Sequence, residues 1–230
     1  MSENYLSREI YLKKILSASF VLIIIAVLVG TLVDQALNKQ IEHVIKSPDG
    51  LSNMIWVWGL ASLASSLFFP LLFSMLCSYT LAGVVLTRRE FFQEKFELAL
   101  IETLRAWGKT FLWCFVFIIP GLIKFTYYIM VPFVVLFSKR YARGEVDALK
   151  YSQQLSKKFW WRLNLWLAVF YFLIPLALSS SLDEYRIFGA HSVTAMLSVL
   201  LEAVLIFIFH FLILKVFFKY LDEVENGTVI

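Results

Sequence analysis

Charge is scarce in this chain. Only 17% of its 230 residues are Asp, Glu, Lys or Arg, against about 25% in an ordinary soluble domain. A soluble core of this size has no use for so much apolar surface, whereas lipid-facing helices require it. Cysteine is scarcer still. Cys77 and Cys114 are the whole complement, both inside apolar runs, where they read as buried thiols and not as a disulfide or metal pair. His43 and His191 stand in predicted outer loops without ligand spacing, so neither a metal nor a haem is expected. Also missing are a phosphate-binding glycine loop, a His-Glu-x-x-His helix, a Gly-x-Ser-x-Gly elbow and a Cys-x-x-Cys pair. The sequence therefore names no reaction and implies no cofactor. The net charge of +4 is carried by basic residues flanking apolar segments. That arrangement suits anionic headgroups, so membrane lipids are expected partners and nucleic acid is not.

What the chain has in excess is apolar and aromatic: 60% hydrophobic residues, with 22 Phe, 10 Tyr and 7 Trp. Residues 15–33 are 19 positions without a charge. At about 1.5 Å per residue they reach about 28 Å, the thickness of a hydrocarbon core. This run is long for a signal-peptide core and lacks a small-x-small exit, so it is expected to stay as a signal anchor. Residues 51–87 are an uncharged run too long for one perpendicular span. Pro70 is expected to divide it, with the membrane core over 65–86. Residues 54–63 then lengthen the helix or lie at the interface beside Trp56 and Trp58. Residues 160–178 and 193–218 are further spans, the last interrupted by Glu202, His210 and Lys215.

The imbalance of positive charge sets the threading. Lys plus Arg number three in 1–14, two in 34–53, five in 87–109, seven in 139–162, one in 179–192 and two from Lys215 onward. The positive-inside rule places the N-terminus, 87–109 and 139–162 in the cytoplasm. Both flanks of 110–138 then lie on one side, so that segment crosses an even number of times. Pro-Gly is a strong turn signal, which predicts a helical hairpin with its break at Pro120 and Gly121. The expected fold is all-α: a polytopic membrane helix bundle with both termini cytoplasmic. It has six transmembrane helices, or four full spans plus a re-entrant hairpin whose backbone must be shielded by protein.

Two amphipathic cytoplasmic helices are expected, near 90–109 and 139–158. In the first, Phe92, Phe96, Leu100, Leu104 and Trp107 recur at three- and four-residue steps, with Glu90, Glu94, Glu97, Glu102 and Arg105 mostly off that stripe. It binds either a partner or the rest of the same chain. In the second, Tyr141, Ala148, Leu149, Tyr151, Ser152 and Leu155 face either the bilayer or the bundle. No repeat and no long linker divides the chain, so 1–230 reads as a single integral membrane domain. The sequon Asn226-Gly227-Thr228 falls on the expected cytoplasmic tail and is discounted. Asp183-Glu184-x-Arg186 reads as a solvated outer turn.

One stretch is more specific. From 107 it reads Trp-Gly-Lys, an apolar run, Ile-Pro-Gly-Leu-Ile-Lys, Tyr-Tyr and Met130-Val131-Pro132-Phe133. Gly144, Ala148-Leu149-Lys150-x-Ser152 and Lys158-Phe-Trp-Trp-Arg follow. This order resembles the YciC-like bacterial polytopic inner-membrane proteins and the related membrane domain of some glycerophosphoryl diester phosphodiesterases. The resemblance covers about a quarter of the chain; the terminal spans share only hydrophobicity. It implies a six-helix membrane domain containing the hairpin, and a bacterial cytoplasmic membrane location. It implies no catalytic residue, because members with phosphodiesterase activity carry it on a separate soluble domain.

The candidate site residues are the ionisable ones inside spans, because a charge at the bilayer centre costs at least about 2.5–3.5 kcal/mol on insertion scales. Lys124 either snorkels to the outer headgroups or, in a re-entrant hairpin, sits at depth and pairs with Glu202 near the outer half; Glu202 is otherwise neutral and hydrogen-bonded within the bundle. His210 lies eight residues after Glu202, about 12 Å along the same helix face. That spacing suits a proton relay, or equally two unrelated interior polar groups. Lys215 and Lys219 read as snorkelling anchors. The leading functional expectation is a non-enzymatic accessory, assembly or envelope-maintenance protein, acting through helix contacts with a membrane-protein partner or a second copy. The alternative is a small transporter or lipid-handling protein using the broken hairpin and the intramembrane polar residues. A membrane-embedded enzyme is least favoured.

Overall fold

Long apolar runs without glycine pairs or helix-ending turns become long helices, and here they are longer than the runs themselves. The structure is a computed structural model describing residues 18–46, 53–82, 87–177, 188 and 192–225. Among these, α1 (Ala18–Lys46) and α2 (Met54–Leu81) form the first pair. α1 continues past the apolar run through Asp34, Lys39 and Glu42, since nothing in that polar stretch breaks a helix. Gly30 lets the pair approach: a Cβ there would stand 3.2 Å from the Phe69 ring. The Ser65 hydroxyl donates to Asp34 at 2.9 Å across the same seam.

α2 corrects one expectation. Pro70 does not divide the run; the helix passes through it. Proline removes one N–H, leaving the Ser66 carbonyl without its usual helical donor, but flanking turns and neighbouring helices hold the segment together.

α3 (Arg88–Val116) is a single 29-residue helix. A capping box starts it: the Thr87 hydroxyl accepts from the Glu90 N–H, and the Glu90 carboxylate accepts from the Thr87 N–H. The expected amphipathic helix and first hairpin arm are therefore one element. Its buried line is Phe91, Ala99, Thr103, Ala106 and Thr110, beside the stripe read from the sequence. From Ala99 onward those side chains are small, which lets α4 (Ile118–Tyr128) return against it.

The hairpin breaks at Phe117, which has extended backbone (φ −156°, ψ 140°), and not at Pro120 and Gly121. Pro120 sits in the first turn of α4, where a missing N–H is harmless. Gly121 serves packing: a Cβ there would lie 2.1 Å from Cys114 Sγ and 2.9 Å from Cys114 Cα. Both residues are thus part of a helix start, not of the turn itself.

α4 ends at Ile129–Met130, because Pro132 cannot donate back to it, and α5 (Val131–Phe137) completes a 20-residue apolar path from Ile118 to Phe137. The basic segment expected as one helix over 139–158 is two: α6 (Lys139–Ala142) and α7 (Ala148–Lys158). Gly144, at φ +74°, makes the left-handed turn between them, and the Asp147 carboxylate caps α7 by accepting from Leu149 and Lys150, each at 3.1 Å. Ala148, Leu149, Tyr151, Ser152 and Leu155 are all buried, so α7 turns its apolar face to the bundle.

α8 runs from Trp160 to Leu167 and passes into a π-helical turn, Ala168–Leu173. α9 (Ser192–Glu225) closes the bundle. No strand occurs among the described residues. Among the described residues, five helical segments are long and apolar enough to cross a membrane: 19–46, 54–81, 118–137, 160–177 and 192–225. The first hairpin arm is not a sixth, because it is the end of charged α3. The packed centre includes Met75, Met130, Val134, Leu155, Leu163, Phe207 and Phe217, all at 1% exposure or less. Only 11% of the 160–177 window is buried, against 50% for 118–137. An apolar helix with so little protein around it requires lipid to cover it, whereas α4 and α5 lie at the centre. The fold is therefore an all-α polytopic membrane bundle. The sequon at 226–228, the 183–186 turn, His191 and the start of the first apolar run lie outside the described residues.

Candidate functional site

Two local irregularities of the bundle lie close together. Pro70 lies inside α2, and the π-helical turn carries Phe170 and Tyr171, with Pro175 just beyond. π-turns inside helices often accompany functional sites. Two cavities lie against them. The first, of about 260 Å³, is lined by Pro70, Phe73, Tyr171, Pro175, Glu202 and His210 among others. The second, of about 270 Å³, lies between α2, α3, α4 and α5, against Ser66, Ser74, Thr103, Thr110 and Tyr128. Pro70 and Tyr171 border both. Tyr171 is 50% exposed, so the dividing wall reaches the outer surface of the bundle, where lipid has access.

His210 joins the two walls. Its Nε2 lies 3.0 Å from Ser74 Oγ and its Nδ1 lies 2.8 Å from the Ile206 carbonyl. Both contacts are satisfied by the neutral ring with its proton on Nδ1: Nδ1–H donates to Ile206, and Nε2 accepts from the Ser74 hydroxyl. A Ser–His pair at this distance is the first half of a nucleophile and its base. Among the described residues the N–H groups of α2 and α9 around it are committed to their helices, so they offer no donor pair for an oxyanion. The bond therefore acts as a clamp between α2 and α9. Glu202 lines the same cavity as His210, but both ring nitrogens are engaged elsewhere, so the structure does not wire the two into a relay.

Lys124 is not paired with Glu202. Its Nζ lies 5.4 Å from the centre of the Trp113 ring, 6.0 Å from Tyr127 and 5.9 Å from Tyr128. Three rings supply the negative potential that a carboxylate would otherwise give. A second lysine shares that platform, as Lys157 Nζ lies 5.9 Å from the Tyr127 ring.

The platform is fixed to α7. α4 ends within two residues of Tyr127, leaving its carbonyl without a helical donor. The hydroxyls of Ser152 and Ser156 donate to it at 2.7 and 3.3 Å. Thr126 also donates to Asn164 of α8 at 3.2 Å.

A charged network ties α3 to α7. Arg105 contacts Asp147 at 2.7 Å and Glu102 at 3.3 Å, and the Tyr141 hydroxyl donates to Glu102 at 3.4 Å. Partial burial pushes the Asp147 carboxyl up, but the N–H of Lys150, the Arg105 guanidinium and the N–H of Leu149 outweigh it and hold the group below its usual range. The hydrogen bond to Asp147 raises Arg105 in turn. Among the described residues no cluster of His, Cys, Asp or Glu could hold a metal ion.

Sequence reasoning selected Glu202 and His210, which do meet at one cavity, and Lys124, which does not. It missed Ser74, Tyr171 and Lys157. Ser74 and Tyr171 carried no signal beyond lying four residues from a proline; Lys157 read as one of seven basic residues in its segment. What the geometry defines is a polytopic helical membrane protein with paired cavities among its spans. No family model, curated protein or solved structure matches the chain.

Proposed function

We propose that this is a non-enzymatic, lipid-handling protein of the bacterial cytoplasmic membrane, of the YciC-like kind that residues 107–163 resemble, with both termini cytoplasmic. The paired cavities carry this reading. Each is mostly apolar, and the wall they share reaches the lipid-facing surface at Tyr171. Such a space takes an acyl chain from the surrounding leaflet, while the hydroxyls of the second cavity receive a polar group near its head. The hairpin of α3 with α4 and α5 then enters and leaves on one side, shielded by α7 and α8. Burial of the α7 apolar face within the bundle removes one of the two surfaces on which an accessory role would rest.

The test is lipid retention by native mass spectrometry after gentle extraction. Ser66→Phe should fill the second cavity and Leu205→Phe the first. Fewer retained lipids in both variants, with unchanged helix content, supports the reading; unchanged retention in both sinks it. The accessory reading has its own supporting feature, the hairpin tip, where Phe115, Phe117, Ile118 and Ile119 are 88, 69, 73 and 72% exposed. Another protein or a second copy at fixed stoichiometry, lost on Phe115→Ser, would favour that reading.

A further inference from the structure

We infer that Lys124 and Lys157 form a binding site for the phosphate of an anionic phospholipid headgroup. This deepens the lipid-handling reading by naming the headgroup class, and it can fail without that reading failing.

Both ammonium groups lie against the Tyr127 ring, at 6.0 and 5.9 Å from its centre. They are therefore at most about 12 Å apart, within the reach of two flexible side chains closing on one phosphate. Neither forms an ion pair with a carboxylate among the described residues, in contrast with Lys158, which contacts Glu223 at 3.9 Å. Two like charges on one ring repel each other, and a third anionic group between them removes that repulsion.

The site is built in advance. Ser152 and Ser156, both fully buried, clamp the Tyr127 carbonyl. That holds the end of α7, and with it Lys157, against α4. Trp160 and Trp161, stacked edge to face at 4.9 Å, begin α8 just beyond; such tryptophans mark the level of headgroups at a membrane interface. Tyr128, whose ring also faces Lys124, lines the second cavity. A phosphate held at the lysines therefore sits one side chain from a space for its own acyl chain. Basic pockets between spans on the cytoplasmic side are where anionic headgroups are held.

The experiment uses the full chain exchanged into mixed micelles of equal phosphatidylglycerol and phosphatidylcholine, with bound lipid counted by native mass spectrometry. The wild type should enrich phosphatidylglycerol, each lysine contributing about fivefold in affinity for an anionic surface. Lys124→Gln with Lys157→Gln should abolish the enrichment, and Lys124→Arg with Lys157→Arg should keep it. Lys150→Gln removes the same charge from the same helix and should leave the enrichment unchanged. Equal loss in Lys150→Gln, or enrichment persisting in the double Gln variant, overturns the site. So does displacement of the lipid by millimolar inorganic phosphate that itself stays bound, which would mark a soluble-anion site. Loss of enrichment in the double Gln variant with total lipid retained separates this site from the cavities. If the cavity variants keep every lipid while headgroup preference persists, the cavity reading alone fails.

Discussion

Gly121→Ala tests the hairpin most sharply. In the seven steps from Cys114, in the last turn of α3, the chain turns at Phe117 and returns beside itself at Gly121. A Cβ at Gly121 would stand 2.1 Å from Cys114 Sγ, 2.9 Å from its Cα and 3.0 Å from its N, where ordinary contact begins near 3.4 Å. The sulfur can rotate away, but the two backbone atoms cannot, so α3 and α4 must part by several tenths of an ångström. Forced overpacking of this kind costs about 1–3 kcal/mol, offset in part by the gain of about 1 kcal/mol when alanine replaces glycine in a helix. A net loss of up to about 2 kcal/mol is expected.

Gly108→Ala is the control on the same hairpin. A Cβ there meets nothing within 4 Å, so the identical substitution should stabilise by up to about 1 kcal/mol. The assay is denaturant unfolding in one detergent, followed by fluorescence of Trp107 and Trp113, which stand on the hairpin itself. Opposite signs are required. If Gly121→Ala matches Gly108→Ala, the close crossing does not exist. Adding Cys114→Ala should rescue Gly121→Ala only partly, since the main-chain contacts remain; complete rescue would mean that the sulfur alone was in the way.

The other expectations concern single bonds. Ser74→Ala deletes the α2–α9 clamp without touching the His210–Ile206 bond. It should cost about 0.6 kcal/mol, and no more than about 1.7, the range for hydrogen bonds between membrane helices; no measurable loss in the same unfolding assay would mean that the pair is idle. Asp147→Asn keeps the α7 cap, because asparagine caps as well as aspartate, and removes only the charge facing Arg105. With Arg105 45% exposed, the loss at neutral pH should stay below about 1 kcal/mol. The pH dependence is more telling. A carboxyl held below its ordinary value stabilises the fold above the unfolded-state value of about 3.9, and that contribution fades as pH falls through the lower folded value. Stability of Asp147→Asn should therefore be flatter below about pH 4 than that of the wild type. An unchanged acid limb would assign that limb to other carboxylates.

Hydropathy summed over a whole segment made the spans legible, because the requirement for lipid is itself a sum over a segment. Single-residue signals did worse, for a reason common to both failures. Pro120 and Gly121 look like a turn because both residues favour turns, yet proline is equally at home in a first helical turn and glycine equally suits a close crossing. The actual break fell on Phe117, an apolar residue with no signature, because that is where the small face of α3 ends and α4 begins its return. Lys124 and Glu202 suggested a pair because opposite charges attract, but Lys124 lies against aromatic rings on α3 and on α4 itself.

The same preference for a near, neutral partner recurs through the bundle. His210 is satisfied by a serine and its own helix, Thr126 by Asn164, and the carbonyl of Tyr127 by two serines. Each of these three groups is satisfied locally, so none forces a distant pairing and none advertises itself by sequence spacing. What sets Lys124 and Lys157 apart from other lysines without a carboxylate is the aromatic ring that they share. At Tyr127 the charge is doubled, rigidly mounted and placed beside a cavity, and a membrane offers one abundant anion to meet it there, the lipid phosphate.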